Sequence, residues 1–400
     1  MNEKFPQNAG CCERPDGQPP GIQIAPAPIT AGSLQDEVCC GSPPGPASHE
    51  FEKPGFALLD FVEEFVETPV GPVPRVKTAL KWPDHAGALR VRLGLNRNQY
   101  KIAPGLYCVG APDSRAPVLV TANYKLSFDI LRQALTAISA WILVLDTRGI
   151  NVWCAAGKDL FSTDEVVRRV KRSELEKVVT HNELILPQLA ATGVAAHHVK
   201  KESGFKVIWG PIRARDIKHF LSNGLKAETS MRQVTFTIRD RVVLIPVELS
   251  HLQKPSLWIL LTAFLISGIG THVFSLSAAW ARGIMLIIAY AAGILAGAVT
   301  TPVLLPWVPG RSFALKGAII GILSGVGIAA LFRSNLDPLG SLAFILCTTA
   351  ISSYLAMNFT GSTPFTSPSG VEKEMRKAIP LQATALLLAI VAWVGSAFAG

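Results

Sequence analysis

The sequence predicts an α/β fold, a Rossmann-like domain on a largely parallel sheet, followed by an α-helical membrane domain of five transmembrane helices. Three observations carry this. Short β-branched or aromatic runs alternate with helical patterns between Tyr100 and Ser250, as in βαβ units. Charge then thins abruptly: residues from Pro255 onward hold 7 Lys and Arg and 3 Asp and Glu, against 31 and 26 before it. Finally, 49% of residues are hydrophobic and mean hydropathy is +0.33, too apolar for a wholly soluble chain of 400 residues.

Residues 1–50 contain nine prolines and little periodic hydrophobicity, so they are expected to form a disordered tail. The α/β domain is assigned to residues 51–254. Its first part, through Pro83, joins an apolar and acidic stretch around Phe61 to turns at Pro69, Pro72 and Pro74, and leads into the folded unit. Strands are expected at Val118–Ala122, Trp141–Asp146, Val178–Thr180, Lys206–Trp209, Val234–Ile238 and Val242–Pro246. Helices are expected at Leu126–Ser139, Thr163–Arg172 and Ala214–Asn223. The last two strands, divided by Arg239-Asp240-Arg241, should form an antiparallel hairpin at the sheet edge. Sheets of this kind bind ligands beyond the carboxyl ends of their strands.

Five spans are expected in residues 255–400: Ser256–Ser275, Gly283–Leu305, Phe313–Phe332, Leu339–Phe359 and Pro380–Phe398. Each approaches the ~20 residues that cross ~30 Å of hydrocarbon. Lys316 must snorkel at the start of the third. Gly293 with Gly297, and Gly317 with Gly321 and Gly325, place small residues on one helix face and invite close helix approach. Loops on one side carry Arg311, Lys316, Lys373, Arg376 and Lys377, whereas the opposite loops carry Arg282 and Arg333. The positive-inside rule then gives a multi-pass protein of the cytoplasmic membrane, with the α/β domain in the cytoplasm and the C-terminus outside. The N-terminus has no apolar h-region, so no secretory signal peptide is expected. Seven cysteines with two adjacent pairs do not make a secreted disulfide framework. No long basic run is interleaved with aromatics, which argues against nucleic acid, and a net charge of +9 suits a surface of anionic membrane lipid. A five-helix transporter with a nucleotide-binding domain lacks support, since no Walker A or Gly-rich dinucleotide fingerprint is present.

The segment Asn151-Val152-Trp153-Cys154-Ala155-Ala156-Gly157-Lys158 stands behind the Trp141–Asp146 strand and ahead of a helical pattern from Leu160 to Val170. It puts a lone cysteine where a strand hands over to a helix. From the residues alone, Cys154 is either a small buried residue or a thiol whose thiolate is stabilised by a helix N-terminus. Ala155, Ala156 and Gly157 remove bulk where a large flat ligand would approach. No neighbouring Cys or His has zinc-site spacing, so a metal ligated here must bring its other donors. Thr121, Asn123 and Tyr124 close a strand and open a helix, where they either cap the helix or meet a ligand's amides or phosphate. Pro187 and Gly210 end strands on the same face, as plain turn residues or as ligand contacts. Trp153 is either a core residue or a ring beside a ligand, and Lys158 either a solvated charge or a contact to the ligand's tail. His197-His198 reads as a solvated surface pair.

Residues 151–158 resemble the cap-helix motif of the mercury-methylating corrinoid proteins, in which the cysteine faces the cobalt of the corrinoid. The stretches Pro104–Gly110, Val118–Lys125, Leu186–Ala191 and Gly204–Pro211 are similar to the cobalamin-binding domain of the corrinoid iron-sulfur protein large subunit of the acetyl-CoA pathway, over roughly residues 55–250. The resemblance implies a corrinoid-dependent methyltransferase that methylates Hg(II) to methylmercury. Co(I) would take a methyl group from a methyl-tetrahydrofolate-type donor, and methyl-Co(III), with Cys154 as lower axial ligand, would pass it on. It implies a cobalamin-type corrinoid held base-off, with contacts from Thr121, Asn123, Tyr124, Asn151, Val152, Trp153, Ala155, Ala156, Gly157, Lys158, Pro187 and Gly210. It also implies a ferredoxin-like partner with two 4Fe–4S clusters. The soluble carrier's iron-sulfur cysteines have no counterpart, because Cys11, Cys12, Cys39 and Cys40 have the wrong spacing. No iron-sulfur cluster is therefore expected in this chain, and the two pairs are either incidental or collectors of Hg(II). The loop Thr360–Arg376, with a capping-box pattern at Ser369 and Glu372, either docks on the corrinoid domain or merely connects two spans. The alternative function is a membrane-bound corrinoid methyl carrier that relays methyl groups to another protein.

Overall fold

The computed structural model describes residues 44–48, 52–55, 59–271, 273–359 and 368–399. Cys11, Cys12, Cys39 and Cys40, the loop segment 360–367 and the side chain of Ser369 lie outside the described residues.

The α/β part opens with an antiparallel hairpin, β1 (Val62–Thr68) and β2 (Gly71–Val76). Gly71 closes its turn at φ 101°, a left-handed conformation that favours glycine. There follow α1 (Trp82–Arg92), β3 (Gly105–Val109), β4 (Val118–Ala122), α2 (Lys125–Ala134), β5 (Ala140–Leu145), α3 (Val152–Gly157) and α4 (Thr163–Arg172). β6 (Glu183–Pro187), α5 (Ala196–Ser203), β7 (Lys206–Gly210) and α6 (Ile217–Ser222) complete this part. These seven strands form one sheet in the order β1-β2-β3-β5-β4-β6-β7. Strands β5, β4, β6 and β7 run parallel, and β3 joins β5 antiparallel.

The strands β3, β4 and β5 are buried at every position because helices cover both faces. Alternation decides which side chain meets which layer. Val118, Val120, Leu143 and Leu145 pack with Val166 and Val170 of α4 and Val199 of α5. Leu119, Ile142 and Val144 pack with Phe128 and Leu131 of α2 and Phe220 of α6.

Two sequence expectations are corrected here. Val178–Thr180 is not a strand: Val178 and Val179 both bond back to Leu175 O in a tight turn, and the strand is the next apolar run, β6. The hairpin expected over 234–246 is helical. Thr237 caps α7 (Ile238–Val242) in a capping box with Asp240, so Arg239-Asp240-Arg241 is a first helical turn rather than a β-turn. Helix α8 (Ile245–His251) follows, and the sheet's edge hairpin is instead β1–β2, in the stretch read only as a lead-in. The first expected span, Ser256–Ser275, has different bounds in the structure. Helix α9 (Gln253–Ser267) has 15 residues, about 22 Å at 1.5 Å per residue, short of the ~30 Å hydrocarbon core.

The remaining helices are α10 (Leu276–Ile294), continued by a π-helical turn into α11 (Thr301–Leu304), then α12 (Phe313–Leu331), α13 (Pro338–Asn358) and α14 (Pro368–Ser396). Among the described residues four helical stretches are long and apolar enough to cross a membrane: Leu276–Leu304, Phe313–Leu331, Pro338–Asn358 and Gly370–Ser396. The glycine stripes do what their spacing predicts. A Cβ at Gly321 would stand 2.8 Å from Thr349 Cα, and one at Gly297 would stand 2.7 Å from Ser352 Cα. This approach lets Ser352 Oγ donate to Gly317 O at 2.6 Å and Ser353 Oγ to Ala314 O at 2.9 Å. Gly321→Leu should therefore destabilise the bundle by at least about 1–3 kcal/mol through overpacking. Thermal denaturation of the full chain in detergent measures this, and an unchanged midpoint would contradict the α12–α13 contact.

Candidate cofactor-binding cleft

The topology reverses at β4. From β4 the chain steps to β5 on one side, with α2 on one face, then returns to β6 and β7 on the other side, with α4 and α5 on the opposite face. Segments leaving β4 and β6 turn to opposite faces, so a crevice opens between them, the usual ligand site of doubly wound sheets. Pairing there is loose, with β4 and β6 meeting at Leu119↔Ile185.

A cleft of about 360 Å³ lies at this point, with Thr121 at the end of β4, Pro187 at the end of β6 and Gly210 at the end of β7. Asn151, Val152 and Trp153 form its roof, at the start of α3. The structure thus brings together six of the residues singled out in the sequence. A Cβ at Gly210 would stand 3.0 Å from Ile185 Cγ2, so glycine keeps the β6–β7 end of the cleft open. Trp153 is half-buried and walls the cleft instead of filling the core. Sequence reasoning missed Ser127 and Ile130 of α2, which complete the lining. The signal was present in Ile130, an apolar residue 47% exposed on the outer side of an otherwise amphipathic helix.

Cys154 is the third residue of α3, and its backbone N–H donates to Asn151 Oδ1 at 2.9 Å, an N-cap bond. The side chain is half-buried beside the cleft rather than in its lining. It lies on the side of Tyr124, close enough to act on the phenol. Burial pushes that phenol up, against the charges of Arg97 and Arg92 and with Tyr100 and Cys154 adding to the rise. Tyr124 itself is buried, edge-on to Tyr100 at 6.5 Å between ring centres. Cys108 of β3 contrasts with Cys154: it is fully buried, and burial pushes its thiol up to about 11.

Ala155 and Ala156 face the core. A Cβ at Gly193 would stand 3.0 Å from Ala156 Cα, so the small residues let α3 lie flat on the turn that follows β6. Gly157 is exposed, with no heavy atom within 4 Å of where a Cβ would be, and Lys158 is half-buried at the C-cap of α3.

The placement of α3 is fixed from beneath by Asn123, which is fully buried. Its Oδ1 accepts from Thr147 N at 3.1 Å, Thr147 Oγ1 at 3.0 Å and Gly149 N at 3.0 Å. Its Nδ2 donates to Asp146 Oδ1 at 3.0 Å. The turn so held contains Arg148 at φ 53° and Gly149 at φ 78° and ends at Asn151. Glu165, buried in α4, accepts from Asp146 N at 2.8 Å and from Arg169 Nη2 at 2.8 Å. Asn123 therefore spends its amide on the turn that delivers α3, and acts as a positioning residue.

Helix α2 is anchored on the other side of the cleft. Lys125 Nζ meets Asp84 Oδ1 and Asp129 Oδ2, both at 2.7 Å, and Arg132, fully buried, meets Asp129 Oδ1 at 2.8 Å and Asp84 Oδ2 at 2.9 Å. Burial opposes ionisation of Asp84. The hydrogen bonds from Lys125 and Lys81 N, with the charges of Lys125 and Arg132, outweigh it and hold the carboxyl at about 2. A depressed folded-state pKa contributes stability above the unfolded value, and that contribution is lost as pH falls towards 2. Asp84→Asn should thus cost about 1–2 kcal/mol at pH 6. The difference from the unsubstituted chain should shrink between about pH 4 and pH 2. Thermal melts across pH check this, and a gap that persists at pH 2 would contradict it.

The family match covers the stretch that builds the cleft. Residues 96–221 match the family described as the CO dehydrogenase/acetyl-CoA synthase delta subunit. Three curated relatives are acetyl-CoA decarbonylase/synthase complex gamma subunits. That of Archaeoglobus fulgidus is 32% identical over 127 residues, 31% of this chain and 27% of the relative. That of Methanopyrus kandleri is 31% identical over 127 residues, with the same shares, and subunit gamma 2 of Methanosarcina thermophila is 36% identical over 111 residues, 27% of this chain and 23% of the relative. The chain spans about a quarter of the length of these relatives. The match runs from just before β3 to the end of α6 and includes the cleft and α3, whereas the β1–β2 hairpin and the helical bundle lie outside it. It is narrower than the span over which the sequence resemblance was drawn.

Proposed function

We propose that this chain is a membrane-anchored, corrinoid-dependent methyltransferase that methylates Hg(II), with α3 as its cap helix and Cys154 as the protein ligand to cobalt. The observation that carries the reading is the placement of Asn151–Cys154 at and beside a cleft on the sheet's reversal point, within the stretch matched by the acetyl-CoA synthase family. The residues present fit a corrin ring. The cleft is open and largely apolar, Gly210 and Gly157 leave room, and Cys154 offers a soft donor on a short, well-anchored helix. Among the described residues no three His, Cys, Asp or Glu side chains gather to hold a metal ion, so Cys154 would act as one protein ligand to a metal already chelated.

When bound, the corrinoid supplies a cobalt centre that takes a methyl group from a methyl-tetrahydrofolate-dependent donor and yields it to Hg(II). The chain's own part is positional. Trp153 and Val152 would cover the ring and exclude water. Thr121, Pro187 and Gly210 form the floor, and Asn123 holds α3 at its height. A thiolate from Cys154 would donate charge to the metal and favour release of the methyl group to a soft acceptor. Low-potential electrons for returning oxidised cobalt to service would come from a ferredoxin-like partner with two 4Fe–4S clusters.

The bundle would place this domain at the inner face of the cytoplasmic membrane, with the C-terminus outside. Helices α8 and α9 support a fifth crossing, because Leu252 between them keeps helical geometry (φ −82°, ψ −14°) and Ser256 N bonds to Leu252 O at 2.9 Å. A second reading, a methyl carrier serving another protein, draws on the relatives' names as subunits of a complex. One assay separates the two. Anaerobically purified full chain, loaded with methylcobalamin and given Hg(II), should form methylmercury over many turnovers when a methyl-tetrahydrofolate-dependent donor and the electron donor are both present. Formation of none, with methyl transfer to a protein acceptor intact, would favour the carrier.

A further inference from the structure

The bundle holds a second, larger cavity, of about 930 Å³, between α12, α13 and α14 at the end where α12 and α14 begin. Its walls are apolar, with Leu315 and Leu381 running out to the bundle surface at 51% and 73% exposure. Its rim is basic. Arg311, Lys373 and Lys377 are exposed there, the two lysines one helical turn apart on α14. Among the described residues the ion pair on this stretch is Arg376–Glu372 at 2.7 Å, which leaves those three cations without a carboxylate partner. Glu374 also lines the cavity, but its Oε1 accepts from Ala314 N at 2.7 Å at the start of α12, so its charge is engaged there.

Two residues of the cavity wall carry a buried polar atom without a partner. Gln382 is 9% exposed and donates through Nε2 to Ser353 Oγ at 2.9 Å, yet its Oε1 has no partner, and Thr349 Oγ1 is in the same state. Buried polar atoms rarely stay unpaired, and a rotamer change would let Thr349 and Gln382 meet the polar groups of a ligand in this otherwise apolar cavity. Gln382 lies five residues beyond Lys377 on α14, about 7.5 Å deeper along the helix.

We propose that this cavity binds an anionic glycerophospholipid, its phosphate between Arg311, Lys373 and Lys377, its glycerol region against Thr349 and Gln382, and an acyl chain along Leu315 and Leu381. Charge complementarity selects the anionic headgroup, since clustered cations at the cytoplasmic ends of spans attract such lipids. The site rests on the proposed orientation of the bundle and is independent of the corrinoid reading.

Native mass spectrometry of the full chain in detergent, with dioleoyl phosphatidylglycerol and dioleoyl phosphatidylcholine as probes, tests it. Phosphatidylglycerol should be retained about tenfold or more in preference to phosphatidylcholine. Replacing Arg311, Lys373 and Lys377 together by Gln should abolish the preference. Because all three side chains are exposed, this variant should fold. Gln382→Leu, which removes the orphaned acceptor while leaving the cations, should weaken retention several-fold. Competition by 20-fold excess inorganic phosphate should be ineffective, because the acyl chain contributes to binding. Equal retention of both lipids, an unchanged preference in the triple variant, or full displacement by phosphate would each overturn the proposal.

Discussion

Cys154→Ala should lower mercury methylation by at least about 100-fold, more than the losses typical of outer-shell changes around a metal, while the chain stays folded and still binds corrinoid. The backbone contacts that place α3 do not involve the thiol. The N-cap bond that shapes α3 runs from the Cys154 backbone N–H to Asn151 Oδ1 and survives the substitution. The neighbours that pack α3, Ala155 and Ala156, are also unchanged. Cys154→His separates two roles of the residue, since imidazole ligates cobalt but donates less charge than thiolate. If ligation alone matters, the histidine variant keeps much of the activity. If thiolate donation drives transfer to Hg(II), it binds cofactor and methylates poorly. Methylmercury formation by the three proteins under anaerobic conditions, normalised to bound corrinoid, is the measurement. An alanine variant at full activity would remove the chemical role assigned to Cys154.

The second large effect is expected at Asn123. Asn123→Ala leaves Thr147 N, Thr147 Oγ1 and Gly149 N without their acceptor in a buried turn. Each orphaned group costs about 1–3 kcal/mol, so a loss of roughly 3–5 kcal/mol is expected after partial relaxation. The damage should be local in its dynamics. Hydrogen exchange at residues 146–158 should rise at least tenfold relative to the sheet strands. Corrinoid affinity should fall with it even though Asn123 does not line the cleft. A variant that melts normally and exchanges slowly at 146–158 would show that the turn is held by other contacts, Glu165 to Asp146 N first among them.

Much of the fold was legible because its strongest signals are local. Thr163–Arg172 is a helix at the residues its periodicity gives, with Ser162 as N-cap, and β4, β5 and β7 fall within a residue or so of their apolar runs. The misread segments are those where tertiary context decides. Val242–Pro246 carries β-branched residues, yet Thr237 caps a helix there and Arg241 reaches Pro302 O at 3.0 Å in the bundle. The first span was drawn through Ser275, but its helix stops at Ser267, and the ring of Phe274 packs where a side chain on Gly268 would stand. No local pattern announces that contact. The strand β3, Gly105–Val109, was passed over although it is fully buried, because it lies beyond the parallel core that the βαβ alternation describes.

The cleft was legible in its rim and opaque in its support. Thr121, Pro187 and Gly210 terminate strands, and the ligand side of a doubly wound sheet follows from strand direction alone. Asn123 looked like one more ligand contact, since a polar residue between a strand and a helix reads the same whether it faces solvent or props a turn. Only the path of residues 146–150 assigns its amide.

The most direct test of the central claim is the visible spectrum of the anaerobically purified full chain reconstituted with cobalamin, set beside that of Cys154→Ala. The account predicts a bound, base-off corrinoid in both, with a cobalt–sulfur ligation signature in the unsubstituted chain that is absent from the alanine variant. Failure to retain any corrinoid, retention of a benzimidazole-ligated form, or identical spectra from the two proteins would contradict it.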